Sequence, residues 1–139
     1  MIMNPPDEPH LLEFPRILDE RGNLSFLQDD SQIPFAVRRV YWIYDVPGGE
    51  FRGGHAFRQT DEVIVALSGS FEVVLHDGQV ESTYPLNRSY KGIFVPKLIW
   101  RTLQNFSTNS LAIIVASTPY DEKDYILDFD EFRSLGNCD

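Results

Sequence analysis

Gly49-Glu50-Phe51-Arg52-Gly53-Gly54-His55-Ala56-Phe57-Arg58-Gln59-Thr60-Asp61-Glu62, continued by Val63-Ile64-Val65-Ala66-Leu67-Ser68 to Gly69, is the stretch on which the fold turns. Residues 51–57, which begin and end on Phe, and the apolar, β-branched 62–68 are strand candidates, and Ser68-Gly69-Ser70 reads as a tight turn after the second. Side chains two apart on a strand share a face, so His55 and Phe57 point the same way.

Outward from there the same texture repeats. Further strand candidates are residues 11–18, 23–28, 38–44, 71–76, 81–86, 91–95, 100–105 and 111–116. Asp19-Glu20-Arg21-Gly22 and His76-Asp77-Gly78-Gln79 have hairpin-turn chemistry, and Pro47-Gly48-Gly49 reads as a loop. Pro34, Pro85, Pro96 and Pro119 fall at strand edges, where a missing N–H is tolerated. Many short strands with turn residues between them predict a sandwich or barrel. Only the end departs: Asp121-Glu122-Lys123-Asp124-Tyr125-Ile126 opens with acids suited to a helix N-terminus, and residues 128–135 suit another turn or two of helix.

The 139 residues suit one domain, with the Pro-rich residues 1–10 expected to be loosely ordered and 11–139 forming a single unit. Such a chain buries about two-thirds of its unfolded surface, so its core needs no disulfide or metal staple. Twelve Lys and Arg against 21 Asp and Glu leave a formal charge of −9, which argues against a nucleic-acid polymer as partner. The single cysteine, Cys138, allows no intrachain disulfide and suits a reducing compartment. No stretch approaches the ~20 apolar residues of a membrane span, and the start lacks a basic segment leading into an apolar one. The expectation is a soluble cytoplasmic protein without membrane partners.

The spacing of the deciding stretch resembles the first motif of the cupins, G-x5-H-x-H-x3-4-E-x6-G, with Gly49, His55, Glu62 and Gly69 in register and Phe57 at the second His. Downstream, Pro96, Leu98, Arg101 and Asn105 stand at the Pro, Gly, His and Asn positions of the second motif, G-x5-P-x-G-x2-H-x3-N. The resemblance implies an all-β, cupin-like double-stranded β-helix (jelly-roll) barrel, here with short C-terminal helical segments. A metal-binding cupin places imidazoles and a carboxylate around its ion, whereas here only His55 and Glu62 remain, beside an apolar ring and a guanidinium. Guanidinium has no free lone pair and repels a divalent cation, so neither a metal nor another cofactor is expected.

A narrower resemblance covers residues 11–135: the segment from Phe14 to Leu24, Ile33 to Tyr41, Arg52-Gly53-Gly54-His55-Ala56, Asp77-Gly78 and the closing Asp121 to Ile126 are similar to the sugar 3,4-ketoisomerases, also called WxcM-like. The resemblance implies an enzyme acting on dTDP-4-keto-6-deoxyglucose through an enediol without metal, in the making of deoxyamino sugars for bacterial surface glycans. It also implies a homodimer whose N-terminal strands cross between subunits. The family's H-A-H, whose two histidines move protons, is His55-Ala56-Phe57 here. His55 is therefore the expected base, with Tyr41, Tyr44 or His76 as possible partners in the proton relay and Tyr41 the one favoured. Arg21 and Arg52 align near the family's site and suit a diphosphate, which Arg grips bidentately. Arg101, facing inward, requires Glu62 or a bound anion opposite it. Glu62 and Phe57 are further candidates for substrate contact, Phe57 as a wall for a sugar methyl group or simply as core. Arg58 and one of Arg38 and Arg39 read as surface residues; Trp42 and Trp100 suit core packing or stacking on thymine. Three functions follow: the ketoisomerase, a nucleotide-sugar binding module that has lost turnover, and a dTDP-sugar 3,5-epimerase-like activity.

Overall fold

The computed structural model describes residues 7–29 and 31–136. Cys138 and the first six residues of the segment expected to be loosely ordered lie outside it. Two five-stranded antiparallel sheets face each other. One is ordered β1 (His10–Glu13), β9 (Lys91–Val95), β6 (Glu62–Ser68), β11 (Leu111–Ala116), β4 (Arg39–Tyr44). The other is ordered β12 (Tyr125–Ile126), β5 (Arg52–Phe57), β10 (Trp100–Gln104), β7 (Phe71–His76), β8 (Glu81–Leu86). A short hairpin, β2 (Arg16–Ile17) with β3 (Leu24–Ser25), stands apart, and a helix, α1 (Phe129–Gly136), follows the last strand. This is the expected cupin-like all-β barrel.

Alternation decides what goes inside. On β11, Ala112 and Ile114 face the barrel core with Ile64, Val73, Leu75, Ile93 and Leu103, while Val115 and Ile113 face out. The outer face is not left to solvent: Phe14, Ile33 and Phe35 of the N-terminal segment cover Val63, Val65 and Phe94. That double covering is why β6 reads as a continuous apolar run rather than an alternating one. A third cluster, Ala56, Ile126 and Phe132, fastens α1 to the back of β5.

Two of the motif positions with left-handed backbones show the physical reason. Gly69 has φ +67, and a Cβ there would lie 2.5 Å from Ser107 Oγ and 2.8 Å from Ser110 Cα. Leu98, at the motif's second Gly, adopts φ 62 as a non-glycine residue, and its N–H donates to the Phe57 carbonyl at 2.8 Å.

Three expectations need correction. Residues 11–18 do not form one strand: Pro15 has no N–H to give a ladder, so β1 ends at Glu13 and Phe14 turns under the sheet, its N–H bonded to the Tyr90 carbonyl at 2.8 Å. Residues 23–28 pair only over Leu24–Ser25. The acidic start at Asp121 makes a single 3₁₀ turn, Glu122–Asp124, and the chain then re-enters the sheet as β12 beside β5. Asp124 explains this re-entry: its carboxylate accepts the Gln59 N–H at 2.7 Å and the Thr60 hydroxyl, and its carbonyl accepts the Arg58 N–H at 2.9 Å. Helix α1 forms where the second helical piece is expected, with Asp128 Oδ1 capping the Asp130 and Glu131 N–H groups.

Candidate active site

Register assembles the site. Across the first sheet Arg39, Ala116 and Glu62 stand abreast, and one inward step along come Tyr41, Ile114 and Ile64. Across the second, Arg101 stands beside His55, and Phe57 beside Tyr125. The inward residues of both sheets meet around a cavity of about 480 Å³ whose lining includes Tyr41, Arg52, His55, Glu62, Arg101 and Tyr125.

At its floor Glu62 is fully buried and doubly engaged. Oε1 accepts Arg101 Nη1 at 2.7 Å, and Oε2 accepts the Tyr41 hydroxyl at 2.5 Å. Arg101, itself 1% exposed, also donates Nη2 to the Ile99 carbonyl at 3.0 Å and lays its guanidinium 4.9 Å from the Phe57 ring centroid. Burial pushes the Glu62 carboxyl up, opposed by Arg101 and the Tyr41 hydroxyl. Burial, reinforced by Glu62, pushes the Tyr41 phenol far above its ordinary range. Arg101 thus finds its expected counter-charge in Glu62.

His55 lies half-buried on the wall. Burial, then the guanidiniums of Arg101 and Arg39, pull its imidazole down to about 4, so the ring is neutral at pH 7. The Gly53 carbonyl attends the ring, and Nε2 has no hydrogen-bond partner in the fold. A neutral imidazole with an unengaged Nε2 has the lone pair that a base needs.

Arg52 is exposed at the mouth, free to meet an anionic group. Phe57, by contrast, is 0% exposed and contributes no lining; it packs behind His55 and Tyr125, at 4.8 and 4.6 Å between ring centroids, and supports the Arg101 guanidinium. Arg21 sits outside the cavity of its own chain, on the loop joining β2 to β3, its side chain 89% exposed and bound to Asp19 through Nε at 2.9 Å and Nη2 at 2.8 Å. Tyr44 faces out on β4, and His76 packs edge-on to Phe129, so neither of these relay candidates reaches the cavity. Trp100 packs against Phe129 and Phe132 of α1, whereas Trp42 borders the cavity and is exposed.

Two site residues escaped the sequence reading. Arg39 is the inward member of the Arg38-Arg39 pair: its guanidinium lies 5.4, 5.9 and 5.7 Å from the Tyr41, Phe57 and Tyr120 rings, with Nε and Nη2 unpartnered. Its parity with Tyr41 was the available signal. Tyr125 was read as part of a helix, and only its pairing with β5 aims it at His55, 4.9 Å away between centroids.

The donor set does not fit a divalent metal. Among the described residues no three His, Cys, Asp or Glu side chains gather, and the Glu62 carboxylate is already taken up by Arg101 and Tyr41. No helix among the described residues is long and apolar enough to cross a membrane.

Comparison with known proteins agrees with this geometry. A family model described as FdtA, WxcM-like, C-terminal, matches residues 7–137. The chain is 36% identical over 126 residues to TDP-4-oxo-6-deoxy-alpha-D-glucose-3,4-oxoisomerase of Aneurinibacillus thermoaerophilus, covering 91% of each chain. Among solved structures it resembles a 3,4-ketoisomerase from Helicobacter canadensis, with 38% identity, a TM-score of 0.91 and 94% and 98% of the two chains covered. It likewise resembles the sugar 3,4-ketoisomerase QdtA of Thermoanaerobacterium thermosaccharolyticum, solved in complex with TDP, with 30% identity, a TM-score of 0.91 and 93% and 94% covered. With the match running almost from end to end and the barrel superposing throughout, the chain belongs to the FdtA family of WxcM-like proteins.

Proposed function

We propose that the protein is a 3,4-ketoisomerase of a dTDP-4-keto-6-deoxyhexose, with His55 as the base. The observation that carries the reading is the neutral His55 imidazole on the wall of a cavity that the Arg101–Glu62 pair also lines, with the Arg39 guanidinium packed on Tyr41 and Phe57 nearby. The C3 hydrogen is acidic because it lies alpha to the C4 carbonyl. His55 removes it as O4 is protonated, giving a 3,4-enediol; loss of the O3 proton and protonation of C4 then complete the shift. Nothing is oxidised or reduced overall, so the reaction needs no redox partner. The net positive charge of Arg39, Arg101 and Glu62 around the site favours the charge that develops on the enediolate oxygens. Tyr41 and Glu62 hold Arg101 in place, and Arg52 at the mouth suits the diphosphate.

Purified protein incubated in D₂O with dTDP-4-keto-6-deoxyglucose is expected to exchange the C3 hydrogen and form the 3-keto isomer. His55→Asn is expected to abolish both. Binding of dTDP with neither exchange at C3 nor formation of the 3-keto isomer would overturn the reading in favour of a sugar-binding module.

The reading extends to a cytoplasmic role in deoxyamino-sugar synthesis for surface glycans and to a homodimer with exchanged N-terminal strands. What supports the dimer is apolar surface that one chain leaves bare: Val40, Trp42 and Tyr44 along the β4 edge, and Ile17, Leu18 and Leu24 on the β2–β3 hairpin. Arg21 as a substrate ligand depends on that exchange, since its own hairpin leaves it outside the cavity. Sedimentation equilibrium, showing twice the chain mass or not, tests the dimer.

A further inference from the structure

The isomerisation requires a second proton carrier. A base at carbon is not enough, because a proton must also arrive at O4 and another must leave O3. Position 57 offers none, being an apolar ring with no exposed surface. Tyr41 lines the cavity, yet its hydroxyl is committed to the buried Glu62 at 2.5 Å. Tyr125 also lines the cavity, with its ring 4.9 Å from that of His55. The Arg39 guanidinium, with Nε and Nη2 unpartnered, lies 5.9 and 5.7 Å from the Phe57 and Tyr120 rings that pack on Tyr125, and its charge favours the phenolate. A guanidinium beside a phenol stabilises the phenolate that forms when the proton is lent out.

The placement is built rather than incidental. Tyr125 stands abreast of Phe57 on a strand only two residues long, which the Asp124 carboxylate anchors to Gln59 and Thr60.

We propose that Tyr125, backed by Arg39, is the acid and base for the sugar oxygens, while His55 serves the carbons. As His55 takes the C3 proton, the Tyr125 O–H bond breaks and an O4–H bond forms, leaving a phenolate beside Arg39. The phenolate then removes the O3 proton as the His55 imidazolium returns its proton to C4, and both side chains end as they began. Burial raises the Tyr125 phenol while Arg39 opposes the rise, which keeps it a proton donor at neutral pH with a stabilised conjugate base.

This inference rests on the ketoisomerase reading, and the experiment separates the two. Wild type, Tyr125→Phe, Tyr41→Phe and a variant carrying 3-fluorotyrosine at position 125 are compared for turnover of dTDP-4-keto-6-deoxyglucose, for dTDP affinity by calorimetry and for thermal midpoint. Tyr125→Phe keeps the ring packing, so it is expected to fold normally and bind dTDP within about threefold, while kcat falls about 10²–10⁴-fold. Tyr41→Phe is expected to lose less in kcat and more in thermal stability. Fluorotyrosine, with its more acidic phenol, is expected to move the alkaline limb of kcat to lower pH, a shift that a merely structural role would not produce. If wild type isomerises and Tyr125→Phe keeps kcat within threefold, or loses it only in step with dTDP binding, the proposal is overturned. An unmoved alkaline limb in the fluorotyrosine variant overturns it as well. If wild type neither exchanges C3 hydrogen nor isomerises, the functional reading fails and takes this proposal with it.

Discussion

Replacing Arg101 by Met tests whether the cavity floor is a single electrostatic unit. Methionine fills much of the space of the arginine stem and keeps contact with Phe57, so the main loss is the cation. That loss leaves Glu62, fully buried, with the Tyr41 hydroxyl as its one remaining side-chain partner. Breaking one side of a buried, hydrogen-bonded pair costs about 3–5 kcal/mol, a large part of the 5–15 kcal/mol that holds a domain of this size together. In thermal terms this is a drop of roughly 10–20 °C. The cost should also depend on pH in a definite direction. Without Arg101 the folded Glu62 carboxyl rises further above its ordinary value of 4.5, so the folded state binds more protons than the unfolded one. Stability is then fully present below 4.5 and is lost as pH rises toward the folded value, so the deficit relative to wild type widens on going from pH 4.5 to pH 8. Removing the charge from both sides, as in Glu62→Gln/Arg101→Met, keeps an acceptor for Tyr41 and should recover about 2 kcal/mol or more of the single variant's loss. Urea denaturation of the three proteins across that pH range is the measurement. A deficit under about 1 kcal/mol at pH 7, one that does not change with pH, or a double variant no better than the single would refute the reasoning.

Three other outcomes follow from the same geometry. Because burial and two guanidiniums hold His55 near 4, the acid limb of kcat/KM should fall close to pH 4, leaving the profile flat from about pH 5.5 until any alkaline limb; an acid limb at or above the ordinary 6.5 would show that the free enzyme does not shield the ring as described. Phe57→His puts an imidazole in a fully enclosed place between two guanidiniums, so it should cost about 1–3 kcal/mol in denaturation without raising kcat. A gain in turnover would assign position 57 to the chemistry. Arg52→Ala should weaken dTDP binding about 10–100-fold and flatten its salt dependence with kcat little changed, the split expected of a residue that grips a diphosphate rather than the reacting carbons.

Most strands were legible because their signals are local. The run Glu62–Ser68, the Asp77-Gly78 turn and the shared face of His55 and Phe57 each depend on residues a few positions apart. The inward Arg101 and its need of Glu62 were likewise readable, because a buried cation demands an opposite charge. The failures share a cause. The 121–126 segment has the composition of a helix start, yet Asp124 finds Gln59 and Thr60, more than sixty positions away, and turns the chain into β12. Composition offers no sign of that bond. Arg38 and Arg39 are equivalent by type, and the pairing of Arg39 with Ala116, abreast of Glu62, is what brings it beside the Tyr41 and Phe57 rings.

The sequence by itself determined an all-β barrel and most of the strands that build it, since each follows from residue type and short spacing. Only the tertiary structure decided that Tyr125 and Arg39 belong with His55, that Phe57 supports the wall instead of lining it, and that Arg21 stays outside its own chain's cavity. Those outcomes are set by sheet register and by bonds between distant segments, and such pairings come into existence only when the barrel closes.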